Sequence, residues 1–278
     1  MKSQSTLKVA IIGLGAIGGH VANCIAKGEG GNAKLVSLLC RNKEKYLEIN
    51  AHQSEAFKSL ITDDISALFD AQPDIVIEAA GQASLSQYGT AILSKGIDLL
   101  VSSIGLFTSD EILKEFTTTA ERSGAQMLLS AGALPALDWM SASSLSEVSK
   151  ACITQEKPVI SWQNTHAEKL VDLNAITEPT CFFEGTAREA ANIFPKSSNI
   201  SAMLALATVG LDNTQVRLVA DPISDIMNTH IEFDSAVGKL QLNCQGIPSP
   251  ENPSTSTGVP LSIVKSIKNL SSSIHYGI

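Results

Sequence analysis

The segment LKVAIIGLGAIGGH, from Leu7 to His20, decides the fold of this chain. It begins with an apolar, largely β-branched run at Lys8–Ile12, which Gly13 ends. From Ala16 to Lys27, apolar residues recur at the spacing of one helix face. The segment therefore predicts a β-strand, a tight turn and an α-helix in direct succession.

Three glycines give this turn the pattern G-x-G-x-x-G. A glycine-rich turn between a strand and a helix lets backbone N–H groups meet a pyrophosphate at the helix N-terminus. The same glycines also fit a tight turn that binds nothing, but the flanking strand and helix favour a dinucleotide. We therefore predict a dinucleotide site formed by Gly13, Gly15, Ala16, Ile17 and Gly18.

Further strand and helix patterns alternate up to about residue 130. The expected strands are Leu35–Leu39, Asp74–Glu78, Ile97–Ser102 and Gln126–Ser130, and helical stretches such as Leu85–Ser94 and Ser109–Ser123 separate them. Strands that are apolar throughout and alternate with helices are typical of a parallel sheet covered on both faces. The predicted fold class is α/β, with a Rossmann-type, doubly wound parallel sheet.

The end of the second predicted strand bears on the choice of cofactor. An acidic residue there would normally bind the ribose 2'-hydroxyl of NAD, but the sequence reads Leu39, Cys40, Arg41, Asn42. Arg41 is suited either to the 2'-phosphate of NADP or to a solvated surface position. NAD and NADP therefore both stay open as the cofactor.

Small residues follow two further strands at the carboxyl edge, where such sheets bind ligands. Ala79, Ala80 and Gly81 follow Glu78, and Gly105 follows the next strand. Their size leaves room for the nicotinamide ribose, so we take Ala80 and Gly81 as candidate cofactor contacts. Ordinary strand-end turns are the alternative interpretation.

The pattern changes after about Ala133. Polar and apolar residues alternate in Pro158–Thr165, Gln215–Ala220 and His230–Asp234, which is typical of strands that bury one face. Helical stretches at 186–192 and 200–209 lie between them. The second unit is therefore predicted to be a smaller, open-faced α+β domain.

Domain limits follow from these patterns. We expect a dinucleotide-binding Rossmann domain at 1–133, completed by a C-terminal helix at about 258–278. A domain for substrate binding and dimerisation is expected at 134–257. The segment Pro248–Gly258 is rich in Pro, Ser and Thr and is expected to be a loop.

Two polar residues of the second domain are candidates for chemistry. Period two places His230 on the open face of its strand, opposite Ile231 and Phe233. An imidazole there is suited to proton exchange with a substrate, whereas a structural histidine is the alternative. Asn199 precedes a helical run and is expected to be its N-cap, and a helix start can also hold a carboxylate or an amide.

Composition excludes several classes of protein. Lys and Arg total 20 against 28 Asp and Glu, so the net charge is −8 and no nucleic-acid partner is expected. No apolar stretch is long enough to cross a bilayer, so no membrane partner is expected. The five cysteines are far apart and lack metal-ligand spacing, so we expect no metal and reduced thiols in a cytoplasmic protein.

Motifs along nearly the whole chain resemble the L-aspartate dehydrogenase family. They are GLGAIG, EAAGQASLSQYG, VSSIG, SAGALPALD, FEGTAREAANIFPKSSNISA, VRLVADP, NTHIEFD and PSPENPSTS. The resemblance implies a homodimeric oxidoreductase that deaminates L-aspartate with NAD or NADP, giving iminoaspartate and then oxaloacetate and ammonia, or the reverse. Some members of this family supply iminoaspartate for NAD biosynthesis.

The resemblance also implies roles for individual residues. His230, in the N-x-H-I motif that begins at Asn228, corresponds to the acid/base of the family. Ala133 and Asn199 correspond to cofactor contacts. These roles come from the resemblance and not from spacing.

The chain departs from the family pattern at Leu106, Pro135 and Ala136, where smaller residues are common. These departures leave the substrate range open, since one added methylene shifts discrimination by about 1 to 3 kcal/mol. A related reductase acting on another imine or keto acid is one alternative, and a nicotinamide-sensing regulator without turnover is another. The cations that would bind the substrate carboxylates are unranked among Lys157, Arg188 and Lys196.

Overall fold

The computed structural model describes residues 5–277, except for the side chains of Pro253 and Ser254. Residues 1–4 and 278, which the expected domain limits include, lie outside the described residues. The chain forms two compact units. One combines the residues up to Ser130 with those from Pro260 onward, and the other is Ala131–Val259.

The first unit contains a six-stranded sheet whose paired strands all run parallel. Its strands are β1 (Leu7–Ile12), β2 (Ala33–Leu39), β3 (Ile61–Thr62), β4 (Ile75–Glu78), β5 (Asp98–Val101) and β6 (Met127–Leu129). The strand order is β3-β2-β1-β4-β5-β6. This is the Rossmann order. The chain adds strands on one side of β1 up to β3 and then on the other side from β4 onward, so the strand order reverses between β1 and β4. The predicted parallel sheet is confirmed.

Helices connect the strands of this sheet. They are α1 (Ala16–Ala26), α2 (Lys43–Ile49), α3 (Glu55–Lys58), α4 (Ile65–Asp70), α5 (Gln82–Ser94) and α6 (Asp110–Ser123). The sequence specifies both ends of α6: Ser109 Oγ accepts the Ile112 N–H, and Gly124 ends the helix in the left-handed region at φ 76°. Val9, Ala10 and Ile11 of β1 are fully buried, which explains the unbroken apolar run.

The second unit contains a mixed five-stranded sheet. Its strands are β7 (Val148–Pro158), β8 (Thr180–Thr186), β9 (Gln215–Asp221), β10 (Met227–Ser235) and β11 (Gly238–Gly246). The order is β11-β10-β7-β9-β8, and only β7 and β9 pair in parallel among these strands. The unit's helices are α7 (Leu137–Ser143), α8 (Ala187–Ile193) and α9 (Asn199–Ala207).

Strand β10 has the predicted alternation. Ile231 and Phe233 are 1% and 0% exposed, whereas His230, Glu232 and Asp234 are partly exposed. The side chains of Ile231 and Phe233 therefore lie on the buried face of the sheet. The open-faced second sheet expected from the sequence is confirmed.

Two local expectations are wrong. The strand expected at Pro158–Thr165 lies earlier, because β7 ends at Pro158 and a 3₁₀ turn follows at Val159–Ser161. The turn buries Trp162, whose indole Nε1–H donates to Val219 O at 2.9 Å. The segment Pro248–Gly258 is not a plain loop, since β12 (Pro248–Ser249) and β13 (Asn252–Ser256) pair within it as a hairpin.

The last helix, α10 (Gly258–Leu270), belongs for nearly its whole length to the first unit. Ile263 and Ile267 are fully buried, and Ser271 Oγ donates to Gly30 O at 2.8 Å. None of the helices in residues 5–277 combines the length and the hydropathy that a membrane span requires.

Candidate active site

The glycine-rich turn of the first unit is shaped by close backbone packing. Gly13 has φ 93°, and its N–H donates to Leu39 O at 2.9 Å. A Cβ at Gly13 would lie 2.7 Å from Ala79 O, and a Cβ at Gly18 would overlap Gly13 O. Both positions therefore require glycine so that β1, α1 and the end of β4 can approach one another.

Gly15 has a different reason to be glycine. It is the N-cap of α1, it provides no side-chain cap, and a Cβ there would meet nothing within 4 Å. The start of α1 therefore faces open space instead of protein. Uncapped N–H groups at such a helix start suit a phosphate, and the missing Cβ leaves room for one.

This open space is part of a cleft of about 630 Å³ within the first unit. The β1–α1 turn, the end of β2 and the β4–α5 turn line it, with Gly13, Gly15, Arg41 and Ala80 among the lining residues. Ala16, Ile17 and Gly18 begin α1, while Gly81, at φ 98°, is the N-cap of α5. The structure thus brings the candidate dinucleotide contacts of the first unit to one edge of the sheet.

Glu78 organises this edge, and sequence reasoning did not single it out as a functional residue. Its side chain accepts the N–H groups of Ala80 and Gly81, both at 2.9 Å, and the N–H and hydroxyl of Ser103 at 3.0 and 2.9 Å. Burial raises the pKa of Glu78, and these four hydrogen bonds oppose that rise. The carboxyl group therefore ties the β4–α5 turn to the turn after β5.

The end of β2 contributes positive charge to the cleft. Arg41 and Lys45 both line it and are exposed, and neither forms an ion pair with any described residue. Asn42 is the N-cap of α2, where its Oδ1 accepts the Lys45 N–H at 2.8 Å. The cap fixes the start of the helix that carries Lys45. Arg41 lies just after β2, where NAD-specific folds place an acid, and Lys45 is in the first turn of the helix that follows.

His230 lies on the open face of the second sheet. His230 is on β10, where its neighbour on one side is Thr154 of β7 and its neighbour on the other side is Asn243 of β11. Its Nδ1 is 2.6 Å from Asn243 Oδ1. With the amide oxygen as acceptor, Nδ1 carries the proton and Nε2 has the free lone pair, which is the tautomer a general base requires.

Asn199 is not the N-cap of α9, contrary to the expectation from the sequence. The N-cap is Ser198, and Asn199 is the first helical residue. The 3₁₀ turn Pro195–Ser197 coils the chain before the helix, so Ser198 already has φ −91° and ψ −14°. Asn199 is exposed, and its predicted cofactor contact does not depend on a capping role.

The candidate residues of the second unit lie on different faces of its sheet. His230 shares a face with Thr154, whereas Gln155 and Lys157 project from the other face of β7. Both of these reach Ser197, the residue two before Asn199. His230 and the turn before α9 are therefore on opposite sides of the sheet.

Ala133 lies in the turn before α7, and Ala136 in the same turn has its backbone in the left-handed region at φ 54°.

The Rossmann topology and the glycine-lined cleft define the class of protein: an oxidoreductase-type fold with a dinucleotide-binding domain. Residues 13–130 match the family model described as homoserine dehydrogenase, NAD binding domain. Residues 138–270 match the model described as aspartate dehydrogenase, C-terminal.

Known relatives narrow the class to one family. An L-aspartate dehydrogenase of Acinetobacter baumannii is 36% identical over 230 residues, which is 81% of this chain and 88% of the relative. One of Ralstonia pickettii is 38% identical over 209 residues, covering 75% and 78%. A crystal structure of aspartate dehydrogenase from Thermotoga maritima has the same fold, with a TM-score of 0.74 at 23% identity, over 97% of this chain and 99% of that one. The chain belongs to the L-aspartate dehydrogenase family, which confirms the resemblance.

Proposed function

We propose that this protein catalyses the NAD(P)-dependent oxidative deamination of L-aspartate to iminoaspartate, and thence oxaloacetate and ammonia, or the reverse amination. The match of residues 138–270 to the model described as aspartate dehydrogenase, C-terminal, is the main support for this proposal, because the model matched by the dinucleotide-binding domain is described for homoserine dehydrogenase. The similarity to the L-aspartate dehydrogenase of Acinetobacter baumannii over most of both chains supports it.

The residues of the first unit fit a nicotinamide dinucleotide. Gly15 leaves open space at the start of α1, where the pyrophosphate would bind. Arg41 and Lys45 would hold a 2'-phosphate, and Ala80 and Gly81 would border the nicotinamide ribose. Ala133 and Asn199 are further proposed contacts by family resemblance. When bound, the cofactor accepts a hydride from the Cα of aspartate.

We assign the acid/base role to His230. Removing a proton from the substrate ammonium frees the nitrogen lone pair, which can then form the C=N bond as the hydride leaves Cα. The Nε2 atom of His230 can accept that proton because Asn243 occupies Nδ1. Water then adds to the imine carbon with loss of a proton, and the imidazolium can return its proton to the nitrogen of the resulting carbinolamine, so that nitrogen leaves as ammonia.

The deciding experiment is the amination of oxaloacetate with ammonia, using NADH and NADPH separately and following the absorbance of the reduced cofactor. We expect oxidation of at least one cofactor that depends on both oxaloacetate and ammonia. Activity restricted to a different keto acid would replace the substrate. Tight binding of NADPH without any turnover would favour the alternative, a nicotinamide-sensing regulator.

A homodimer and a cytoplasmic location are also part of the proposal. The second unit is the expected dimerisation domain, as the family resemblance implies. Light scattering after size-exclusion chromatography tests the oligomeric state, and a mass equal to one chain would contradict the dimer.

A further inference from the structure

The last strand of the second sheet has an open edge. β11 lies at one end of the strand order and pairs with β10. Alternate residues of an antiparallel strand direct both N–H and C=O to the same neighbour, so the other residues of β11 point these groups away from β10. Within residues 5–277, no backbone group of residues 239–245 bonds outside this pair of strands. The hairpin that follows bonds beyond this stretch, where the Thr257 N–H donates to Ile247 O at 2.9 Å.

β11 also differs from the edge strands that proteins protect against pairing. Protected edges are typically short or bulged, or they carry Pro and several charges. β11 is nine residues long, its register with β10 has no shift, and its single charged residue is Lys239. β8, at the other edge, does have a register shift, between Cys181 and Phe183. The edge of β11 is therefore suited to pairing with another strand.

The sequence from Val237 to Ile247 indicates which strand pairs there. It reads VGKLQLNCQGI and is nearly symmetric in residue type about Leu242. Outward from Leu242, each direction meets an amide, an apolar residue, a long polar residue, a glycine and a β-branched aliphatic residue. Two copies of this segment that run antiparallel therefore match like with like when Leu242 faces itself.

Exposure and charge fit the same register. Val237, just before β11, is 64% exposed, and Ile247, just after it, is 67% exposed. Pairing about Leu242 brings Val237 of one copy opposite Ile247 of the other, so both apolar side chains lose contact with water. Lys239 comes opposite Gln245, and its Nζ already lies 2.9 Å from Asp234 Oδ2. No like charges therefore face each other across the two strands.

We propose that β11 is the dimer interface, where two copies of the chain pair antiparallel about a two-fold axis at Leu242. The two five-stranded sheets then join into one continuous sheet. The contact is the same for both copies, so it closes after two chains. This inference rests on the homodimer of the proposed function and names its surface, but it does not depend on the substrate.

The pairing brings the partner close to the proposed acid/base. Residues that face each other in antiparallel strands project to the same side of the sheet, so Gln241 of the partner subunit lies beside Asn243 on the face that carries His230. Asn243 Oδ1 is 2.6 Å from His230 Nδ1, whereas Asn243 Nδ2 has no acceptor in the described part of the chain. The amide of the partner's Gln241 supplies one. The dimer thus supports the side chain that orients His230.

Disulfide crosslinking tests the register. Facing residues in antiparallel strands have Cα atoms about 4.5 to 5.5 Å apart, which a disulfide can span. Leu240→Cys should crosslink to Cys244 of the partner subunit when the protein is oxidised with diamide, giving mostly dimer on a non-reducing gel. Leu240→Cys with Cys244→Ser is the matched control and should stay a single chain. Every variant also carries Cys181→Ser, because Cys181 is exposed.

A further variant makes the test independent of Leu240. Leu242→Cys with Cys244→Ser should crosslink to its own copy in the partner, since position 242 lies on the two-fold axis. Circular dichroism shows whether each variant is folded before oxidation.

A second measurement weakens the interface without a crosslink. Val237→Asp should raise the Kd of the dimer at least about tenfold, because it removes an apolar contact at both ends of the interface. Ile160→Asp is the matched control, since Ile160 is 65% exposed on the turn after β7, and its Kd should stay unchanged. Sedimentation over a range of protein concentrations gives both values.

The outcomes separate this inference from the proposed function. A wild-type dimer whose folded Leu240→Cys and Leu242→Cys variants do not crosslink overturns the interface alone. A wild type that stays a single chain at all concentrations overturns the interface and the dimer, but not the activity. A wild type whose variants crosslink as expected but which does not aminate oxaloacetate overturns the proposed activity and supports the interface.

Discussion

The hydrogen bond between His230 and Asn243 matters most at the scale of single residues. The two side chains are cross-strand neighbours on β10 and β11, with 2.6 Å between Nδ1 and Oδ1. A neutral imidazole exists as two tautomers, and only one leaves Nε2 able to accept a proton. Asn243 therefore acts as a positioning residue that selects the tautomer useful for the proposed chemistry.

Replacing these two residues should have graded effects. His230→Ala should reduce kcat by about a hundredfold or more, the range typical of general acid–base catalysis. Asn243→Ala should lower kcat about tenfold while the KM for oxaloacetate and the Kd for NADPH stay unchanged. Steady-state kinetics and a fluorescence titration of NADPH provide the measurements. Near-normal turnover in folded His230→Ala would refute the acid/base assignment.

At the scale of elements, the β1–α1 turn separates two roles of glycine. A Cβ at Gly18 would overlap the backbone of Gly13, whereas a Cβ at Gly15 would meet only open space. Gly15 also has φ −80°, which any residue adopts. Position 18 is therefore constrained by packing, and position 15 by the ligand proposed to bind there.

This difference predicts opposite outcomes for two alanine substitutions. Gly15→Ala should leave the urea midpoint of unfolding unchanged and raise the Kd for NADPH about tenfold or more. Gly18→Ala should destabilise the protein by about 1 to 3 kcal/mol, because the added methyl group forces the helix away from the turn. If Gly15→Ala binds NADPH as the wild type does, the pyrophosphate does not lie at this turn.

The residues at the end of β2 and the start of α2 predict whether the protein prefers NADP or NAD. Arg41 and Lys45 border the cleft without an ion-pair partner in the described structure. Arg41→Ala should raise the KM for NADPH about tenfold and leave the KM for NADH nearly unchanged. Lys43→Ala is the matched control, since Lys43 lies two residues after Arg41, at the start of α2, but does not line the cleft. Equal losses with both cofactors would contradict a 2'-phosphate contact.

At the scale of the whole molecule, the sequence predicts those elements that have a local pattern of apolar residues or glycines. The strands and glycines of the first unit follow from apolar runs and fixed spacing. Strand β8 was not predicted from the sequence, because its register shifts between Cys181 and Phe183 and this shift breaks the alternation of period two. β11 does show this alternation, with Leu240, Leu242 and Cys244 less exposed than the polar residues between them, but it is missing from the strands expected from the sequence.

The candidate site is predictable to the same limited degree. The glycines, Arg41 and His230 can be found from the sequence, because each is a residue type with known chemistry at a position that the strand and helix patterns define. Glu78 and Asn243 cannot, because their partners lie 25 and 13 residues away and are brought together only by the sheets.

The most direct test of the account follows the hydrogen on Cα of the substrate. The protein is incubated with L-aspartate deuterated at Cα and with NAD or NADP, and the reduced cofactor is analysed by mass spectrometry. We predict one deuterium on the nicotinamide ring for each oxaloacetate released. Reduced cofactor without deuterium, or no reduction by a protein that binds the cofactor, would contradict the assignment as an aspartate dehydrogenase.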